Sequence, residues 1–134
     1  MIPELMCLAL TVYYEARDQD LLGQVAVAQV VMQRLESPIY PNSICQVVQQ
    51  GGEFPRYQCQ FTWWCDGKAD IPFDLKAFSR AVRVSDAVYN GGVRHVPLLG
   101  STHYHATYVS PDWPLEYITT IGQHMFYKPE ESSL

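Results

Sequence analysis

Two apolar runs with helical spacing, separated by a short polar turn, open the chain and constrain its fold most strongly. Pro3 suits the first turn of a helix, and apolar residues then recur at helical spacing up to Glu15. Asp18 and Asp20 interrupt this pattern, and Asp20 is a suitable N-cap for a second helix that continues to Leu35. The chain is therefore expected to begin with a helical hairpin.

The remaining sequence predicts further helices followed by strands. Asn42 or Ser43 can cap a short third helix, and Asp74 can cap a longer fourth helix. Residues 103–109 and 117–127 are rich in β-branched and aromatic side chains, which favours short strands.

The size and composition of the chain indicate one folded domain. Its 134 residues suit a single domain over residues 1–134, with residues 130–134 expected to fray. An apolar fraction of 48% with 17% charged residues excludes disorder as the main state. The net charge of −5 gives no basic surface for a phosphate backbone, so we expect no nucleic-acid partner. A monomer is the default expectation.

No stretch of the sequence is typical of a membrane span. A span requires about 18 to 20 uninterrupted apolar residues, and no stretch of the chain reaches that length. The apolar residues 1–14 lack a basic start and a small-residue cleavage site, so they predict a core helix and no signal peptide.

Glu15 is the candidate catalytic residue, because it is a carboxylate at the end of an otherwise apolar helix and is surrounded by aromatic residues. Burial disfavours the ionised form and raises its pKa, so that the group can protonate a leaving group near neutral pH. The alternative is that Glu15 lies on the solvent side of the helix and pairs with Arg17 or another neighbour.

The loop at residues 59–67 combines aromatic rings with amide and hydroxyl groups. Sugars bind by placing their C–H faces on aromatic rings while their hydroxyls meet fixed polar groups, so the loop suits a saccharide groove. Trp63 and Trp64 are adjacent and would point to opposite faces of an extended segment, so one of them is expected in the core.

His103 and His105 would face the same side of a strand and allow a second enzymatic hypothesis. With Cys59, Cys65 or His124 they could form a zinc site of a metal-dependent hydrolase, although no standard zinc-binding spacing occurs. The ordinary alternative places one histidine in the core and the other in a cleft. No Gly-rich phosphate loop is present, and we expect neither a cofactor nor a metal.

The four cysteines leave the disulfide pattern open. Cys7 lies at an apolar helical position, where a free thiol acts as a small hydrophobe. One disulfide among Cys45, Cys59 and Cys65 is plausible in an oxidising compartment, and the sequence does not select the pair.

Several motifs occur together in a recognisable order. They are Tyr-Tyr-Glu-Ala-Arg, Gly-Gln-Val-Ala-Val-Ala-Gln-Val-Val-Met-Gln-Arg, Tyr-Pro-Asn-Ser-Ile-Cys, Cys-Gln-Phe-Thr-Trp, Cys-Asp-Gly, Thr-His-Tyr-His-Ala and Pro-Asp-Trp. In this combination, from about residue 8 to residue 127, the chain resembles the SleB-type cell wall hydrolases, and Cys-Gln-Phe-Thr-Trp resembles their Gram-negative and phage branch.

The resemblance implies a lysozyme-like α+β domain with a small irregular β element. It also implies cleavage of peptidoglycan glycan strands between N-acetylmuramic acid and N-acetylglucosamine, as a lytic transglycosylase or muramidase, in the periplasm or cell wall. Glu15 corresponds to the family's catalytic glutamate. The family usually has Gly-Glu after the motif arginine, whereas this chain has Asp18 and Gln19, so this turn is expected to differ.

A single carboxylate in a suitable setting agrees with a transglycosylase, since ordinary glycosidases use two. Asp66 and Asp112 are the reserves, each more typical of a turn. The residues assigned to substrate binding are Gln60, Phe61, Thr62, Trp63, Tyr104, His105 and Trp113.

Three functional alternatives therefore follow from the sequence: a single-glutamate glycan-cleaving enzyme, a metal-dependent hydrolase and a non-catalytic peptidoglycan-binding module. The enzyme would act as a phage endolysin released through a holin, or as the mature domain of a secreted bacterial hydrolase.

Overall fold

The computed structural model describes residues 2–50, 61, 63 and 72–130. The helices are α1 (Pro3–Ala16), α2 (Leu21–Glu36), α3 (Ile44–Val48) and α4 (Leu75–Tyr89), with a 3-10 turn at Val96–Leu98. The strands are β1 (His103–Ala106), β2 (Leu115–Ile121) and β3 (His124–Pro129). The fold is α+β, as the sequence predicts. Within the described part of the chain, no helix has the length and apolar character needed to cross a membrane.

Side-chain caps begin three of the helices where the sequence predicts them. Asp20 accepts a hydrogen bond from the Gly23 amide at 2.9 Å, and Asp74 accepts one from the Ala77 amide at 3.1 Å. At α3 the cap is Ser43, one of the two predicted candidates. These caps satisfy amide groups that have no partner within the helix, which fixes where each helix starts.

Helix α2 lies at the centre of the molecule because it is apolar on nearly all of its faces. One side of it contributes Ala28, Val31 and Met32 to a core shared with α1, α3 and α4. Its other side packs Ala26 and Val30 against the sheet and the 3-10 turn. The helix therefore joins the helical layer to the small sheet.

The sheet is antiparallel, with the strand order β1-β3-β2. Strands β2 and β3 form a hairpin, and its turn contains Gly122 at a φ of 58°, which a residue without a side chain adopts readily. Strand β1 then pairs with the other edge of β3, so that Tyr104 lies opposite Phe126 and Ala106 opposite His124. The chain order alone does not specify this arrangement.

Polar side chains of α2 hold the segment that leads into β1. Gln29 donates to the carbonyl of His95 at 3.1 Å and accepts from its amide at 2.7 Å. Gln33 donates to the carbonyls of Leu98 and Ser101. Because these amides satisfy backbone groups that secondary structure leaves open, they fix the position of β1 relative to α2.

Cys7 forms a disulfide with Cys45, with Cα atoms 5.3 Å apart. The expectation that Cys7 is a free apolar thiol is therefore wrong, and the pair is formed between α1 and α3. The side chain of Glu4 joins the same two helices, since its carboxylate accepts hydrogen bonds from the amides of Ile44 and Cys45. Cys59 and Cys65 lie outside the described residues.

Candidate active site

Glu15 lies in the last turn of α1 and is half-buried. The hydroxyl of Tyr104, on β1, donates a hydrogen bond to its carboxylate oxygen Oε1. Glu15 therefore faces the sheet, and the alternative of a solvated glutamate paired with Arg17 does not describe it. Arg17 instead donates from Nη1 to the hydroxyl of Tyr13 at 2.7 Å.

Arg34 provides a positive charge beside this pair. It is 5% exposed and lies in the last turn of α2. Its Nε donates to the carbonyl of Thr102 at 2.7 Å. Its guanidinium carbon Cζ lies over the rings of Tyr40 and Phe61, 5.3 and 5.4 Å from the respective ring centroids. The charge is thus held in place by the residue that precedes β1 and by aromatic rings.

The pKa of Glu15 is raised above its ordinary value of 4.5. Burial is the largest cause, because it removes hydration from the ionised carboxylate. The hydrogen bond from Tyr104 and the charge of Arg34 lower the pKa and partly offset this effect. Glu15 therefore keeps its proton to a higher pH than an ordinary glutamate, and its carboxylate is still stabilised after the proton is lost.

A polar depression of about 200 Å³ opens on one side of Glu15. Its lining residues come from the end of α1, the α1–α2 turn, the end of β1 and the β2–β3 hairpin. They are Tyr14, Glu15, Arg17, Asp18, Gln19, Ala106, Tyr108, Gln123 and His124. Polar groups therefore surround the carboxyl on this side.

An aromatic depression of about 110 Å³ also includes Glu15. It is lined by Glu15, Arg34, Phe61, His103, Tyr104 and Trp113. Glu15 belongs to both depressions, so its carboxyl is bordered by a polar and by an aromatic surface. Asp112, a reserve carboxylate, is exposed and lines neither depression, and Asp66 lies outside the described residues.

Three of the predicted substrate-binding residues meet at the aromatic depression. Tyr104 contacts Glu15 directly, while Trp113 and Phe61 contribute rings to the lining. Phe61 is 2% exposed, so very little of its ring is accessible from the depression. Trp113 is half-buried and provides the larger accessible ring surface.

His105 and Trp63 are placed differently. His105 is buried, and its Nδ1 and Nε2 bond to the Ala106 carbonyl at 2.7 Å and the Tyr127 hydroxyl at 2.8 Å. Its ring lies 5.3 Å from that of Trp113, which it supports from within the sheet. Trp63 is 5% exposed and stacks on Tyr14 at 5.4 Å as part of the helical core. Neither side chain lines the two depressions.

Gln60 and Thr62, the other two residues assigned to the site, lie outside the described residues, as does Trp64. The roles assigned to Gln60 and Thr62 stay predictions.

The two turns that contribute to the lining of the polar depression are hydrogen-bonded to each other. Gln19 Oε1 accepts from the Gln123 amide at 3.1 Å, which joins the α1–α2 turn to the β2–β3 hairpin. A Cβ at Gly122 would lie 2.1 Å from Gln19 Oε1, so the two turns approach as closely as a glycine allows. Gln19 occupies the position where the sequence departs from the family motif, and it has a defined structural role here.

The histidines do not form a recognisable metal site in the described part of the chain. His103 and His105 both contact Trp113, which agrees with their predicted placement on one face of a strand. His124 packs against Tyr104 instead. Within residues 2–50, 61, 63 and 72–130, no group of three or more His, Cys, Asp or Glu side chains is placed to hold a metal ion.

A larger cavity of about 490 Å³ lies where the end of α2 meets the sheet. Glu36, Gly100, Thr102 and Lys128 are among its lining residues, and Glu15 is not. We therefore place the candidate site at the two smaller depressions, because both include Glu15, the carboxyl whose pKa is raised.

Arg34 contributes charge beside Glu15, and no motif in the sequence singles it out for this position. From the sequence alone, Arg34 is expected to be an ordinary surface cation in the last turn of a helix, where the helix dipole favours positive charge. The available signal is that the part of the helix preceding it, residues 25–32, is apolar except for Gln29, which indicates a helix buried on most of its faces.

Known proteins resemble this chain in sequence and in fold. The family model described as Cell Wall Hydrolase matches residues 18–127, beginning three residues after Glu15. The spore cortex-lytic enzyme of Halalkalibacterium halodurans is 34% identical over 130 residues, covering 92% of this chain and 34% of that protein. The spore cortex-lytic enzyme of Oceanobacillus iheyensis is 33% identical over 132 residues, covering 93% and 41%.

The structural likeness extends across the described fold. The crystal structure of the catalytic domain of the Bacillus cereus SleB protein superposes with a TM-score of 0.68 at 27% identity, covering 93% of this chain and 89% of that one. The fold is that of the SleB-like class of catalytic domains. The chain belongs to the cell wall hydrolase family. It spans between a third and about two fifths of the length of the two curated relatives described above.

Proposed function

We propose that the protein is a lytic transglycosylase that cleaves peptidoglycan between N-acetylmuramic acid and N-acetylglucosamine, with Glu15 as its single acid and base. The observation that carries this proposal is that one carboxyl with a raised pKa belongs to both depressions of the site. The family membership and the names of the relatives support the same substrate class.

In the first step, protonated Glu15 donates its proton to the oxygen of the glycosidic bond. The bond from this oxygen to the anomeric carbon of the muramoyl residue breaks, and the leaving sugar takes the proton. Burial favours the protonated form that this step requires.

In the second step, the carboxylate of Glu15 removes the proton from the C6 hydroxyl of the same muramoyl residue. The C6 oxygen forms a bond to the anomeric carbon, which gives a 1,6-anhydro ring and returns Glu15 to its protonated state. Tyr104 and Arg34 stabilise the carboxylate between the two steps, because one donates a hydrogen bond to it and the other supplies positive charge.

Sugar units would lie on either side of Glu15. In the aromatic depression, Trp113 provides a ring for stacking. In the polar depression, side chains such as Gln19 and Gln123 provide partners for hydroxyl and acetamido groups. Gln60 and Thr62 are assigned to the same groove on the sequence motif alone.

Asp18 favours a second candidate, hydrolysis by a muramidase mechanism. It is an exposed carboxylate that lines the polar depression together with Glu15. A second carboxylate there could activate a water molecule, which would then attack the anomeric carbon in place of the C6 hydroxyl.

Mass spectrometry of the fragments released from purified sacculi separates these possibilities. The transglycosylase releases 1,6-anhydromuramoyl ends, which are lighter by one water than hydrolysed ends. Asp18→Asn should keep both the rate and the anhydro product, with Asp112→Asn as the exposed control. Hydrolysed ends that disappear in Asp18→Asn would establish the muramidase mechanism instead.

A binding module that lacks activity would bind to sacculi without releasing soluble fragments. This result would reject both the transglycosylase and the muramidase proposals. A metal-dependent hydrolase would lose its activity on treatment with a chelator. The transglycosylase reaction proposed here would serve a phage endolysin or a bacterial cell wall hydrolase equally well.

A further inference from the structure

His124 lies at the start of β3, in the same depression as Glu15, and has no role in the steps described above. It is 8% exposed and contributes to the lining of the polar depression. Its ring packs edge to face on Tyr104, with the ring centroids 4.9 Å apart. Since Tyr104 donates to Glu15, His124 is one contact away from the acid.

The hydrogen bonding of His124 is incomplete. Its Nδ1 is buried and has no hydrogen-bond partner among the residues that the structure describes. A buried N–H without an acceptor is costly, so the favoured neutral tautomer leaves Nδ1 unprotonated and carries the proton on Nε2. Because Nδ1 is the enclosed nitrogen of a side chain that lines the depression, Nε2 is the nitrogen available to a ligand.

The neutral form of His124 is also favoured by its surroundings. Burial, followed by the effect of His105, lowers its pKa below the ordinary value. In contrast, both ring nitrogens of His105 bond to protein groups, so His105 has no donor left for a ligand. Of these two neighbouring histidines, His124 is the one with an uncommitted donor.

We propose that the Nε2–H of His124 binds the acetamido carbonyl oxygen of the sugar whose glycosidic bond Glu15 protonates. This inference rests on the proposed function. The acetamido group is carried by C2, adjacent to the anomeric carbon at which the bond breaks, so a donor in the depression that contains Glu15 is well placed to reach it. The contact would select N-acetylated glycan and orient the anomeric carbon toward the acid.

Binding of soluble oligosaccharides to the Glu15→Gln protein tests the proposal without turnover. The probe is the β-1,4-linked tetramer of N-acetylglucosamine, and cellotetraose is the neutral control that lacks acetamido groups. His124→Phe keeps a ring against Tyr104 but removes the donor, and we expect about tenfold weaker binding of the tetramer. Cellotetraose should bind equally to both proteins.

Two further variants separate hydrogen bonding from packing. His124→Gln places an amide N–H near the position of Nε2 and should restore most of the binding. His124→Asn places its amide near Nδ1 and should be as weak as His124→Phe. The proposal would be overturned if His124→Phe bound the tetramer as tightly as its parent, or if His124→Asn restored binding better than His124→Gln. It would also be overturned if His124→Phe weakened the binding of cellotetraose as much as that of the tetramer.

Failure of the proposed function would give a different pattern. In that case the Glu15→Gln parent would not bind the tetramer at all, and the wild-type protein would release no anhydro fragments from sacculi. Normal release of fragments together with unchanged binding by His124→Phe would reject the role of His124 alone.

Discussion

The hydroxyl of Tyr104 donates a hydrogen bond to Glu15 although 89 residues separate them in the sequence. Tyr104 reaches this position because β1 is fixed against α2 by Gln29, Gln33 and Arg34. Glu15 reaches it because α1 ends where the helical hairpin turns. The contact thus depends on the packing of three separate elements, and we base the predictions below on it.

Glu15→Gln is expected to remove the release of fragments from sacculi. Loss of one positioned general acid typically lowers a rate about 10²- to 10⁴-fold, and an amide cannot transfer the proton. Turbidity loss of a sacculus suspension measures the effect. Circular dichroism should show an unchanged fold, and Asp112→Asn should lyse like the wild type. Lysis by Glu15→Gln near the wild-type rate would remove Glu15 from the mechanism.

Tyr104→Phe is expected to shift the pH dependence of the rate. The acid must be protonated, so the rate falls as the pH rises through the pKa of Glu15. The hydrogen bond from Tyr104 lowers this pKa, so its removal raises the pKa further and moves the falling limb to higher pH.

The maximum rate of Tyr104→Phe should also fall, by about tenfold or more, because the carboxylate formed in the reaction loses a charged hydrogen bond. Initial rates measured across the pH range give both quantities. Tyr108→Phe is the control, since Tyr108 is exposed and lies at the same polar depression. A limb that moves to lower pH would contradict the assigned hydrogen bond.

Local signals in the sequence predicted the helices well. Asp20, Ser43 and Asp74 each cap the helix that follows them, because capping depends on contacts within one turn. The residue types also predict two strand-forming segments, and these overlap all three strands, although β2 begins two residues earlier and β3 ends two residues later than predicted. The position of Glu15, a carboxylate at the end of an apolar helix, is also a local signal that can be recognised from the sequence.

Contacts between distant segments were harder to predict. The cysteine pairing was missed because Cys7 matches the apolar pattern of its helix, and the sequence does not show that α3 lies against it. Trp63 was assigned to the groove from its neighbours, whereas its burial depends on how α1 packs. The charge of Arg34 beside Glu15 arises from the packing of two helices, which no local pattern encodes.

Replacement of both Cys7 and Cys45 by alanine is expected to lower the free energy of unfolding by about 2–4 kcal/mol, because the crosslink restricts the unfolded chain. Urea denaturation under non-reducing conditions measures the loss, and peptide mapping of the wild-type protein should recover the joined Cys7 and Cys45 peptides. An unchanged denaturation midpoint would show that the crosslink contributes nothing to stability.

Glu15→Gln is expected to be more stable than the wild type at neutral pH. Below the ordinary value of 4.5, Glu15 is protonated in both the folded and the unfolded protein. As the pH rises from there through the raised pKa of the folded state, ionisation stabilises the unfolded chain more than the folded one, and stability is lost. Glutamine does not ionise, so the variant avoids this loss.

The difference in free energy of unfolding between Glu15→Gln and the wild type should therefore grow with pH and level off above the pKa of the folded state. Urea denaturation at several pH values measures it, with Asp112→Asn as an exposed carboxylate control. A difference that shrinks as the pH rises would mean that the folded protein favours the ionised form. Such a result would remove the physical basis for Glu15 as a general acid, since the group would then be deprotonated before the substrate arrives.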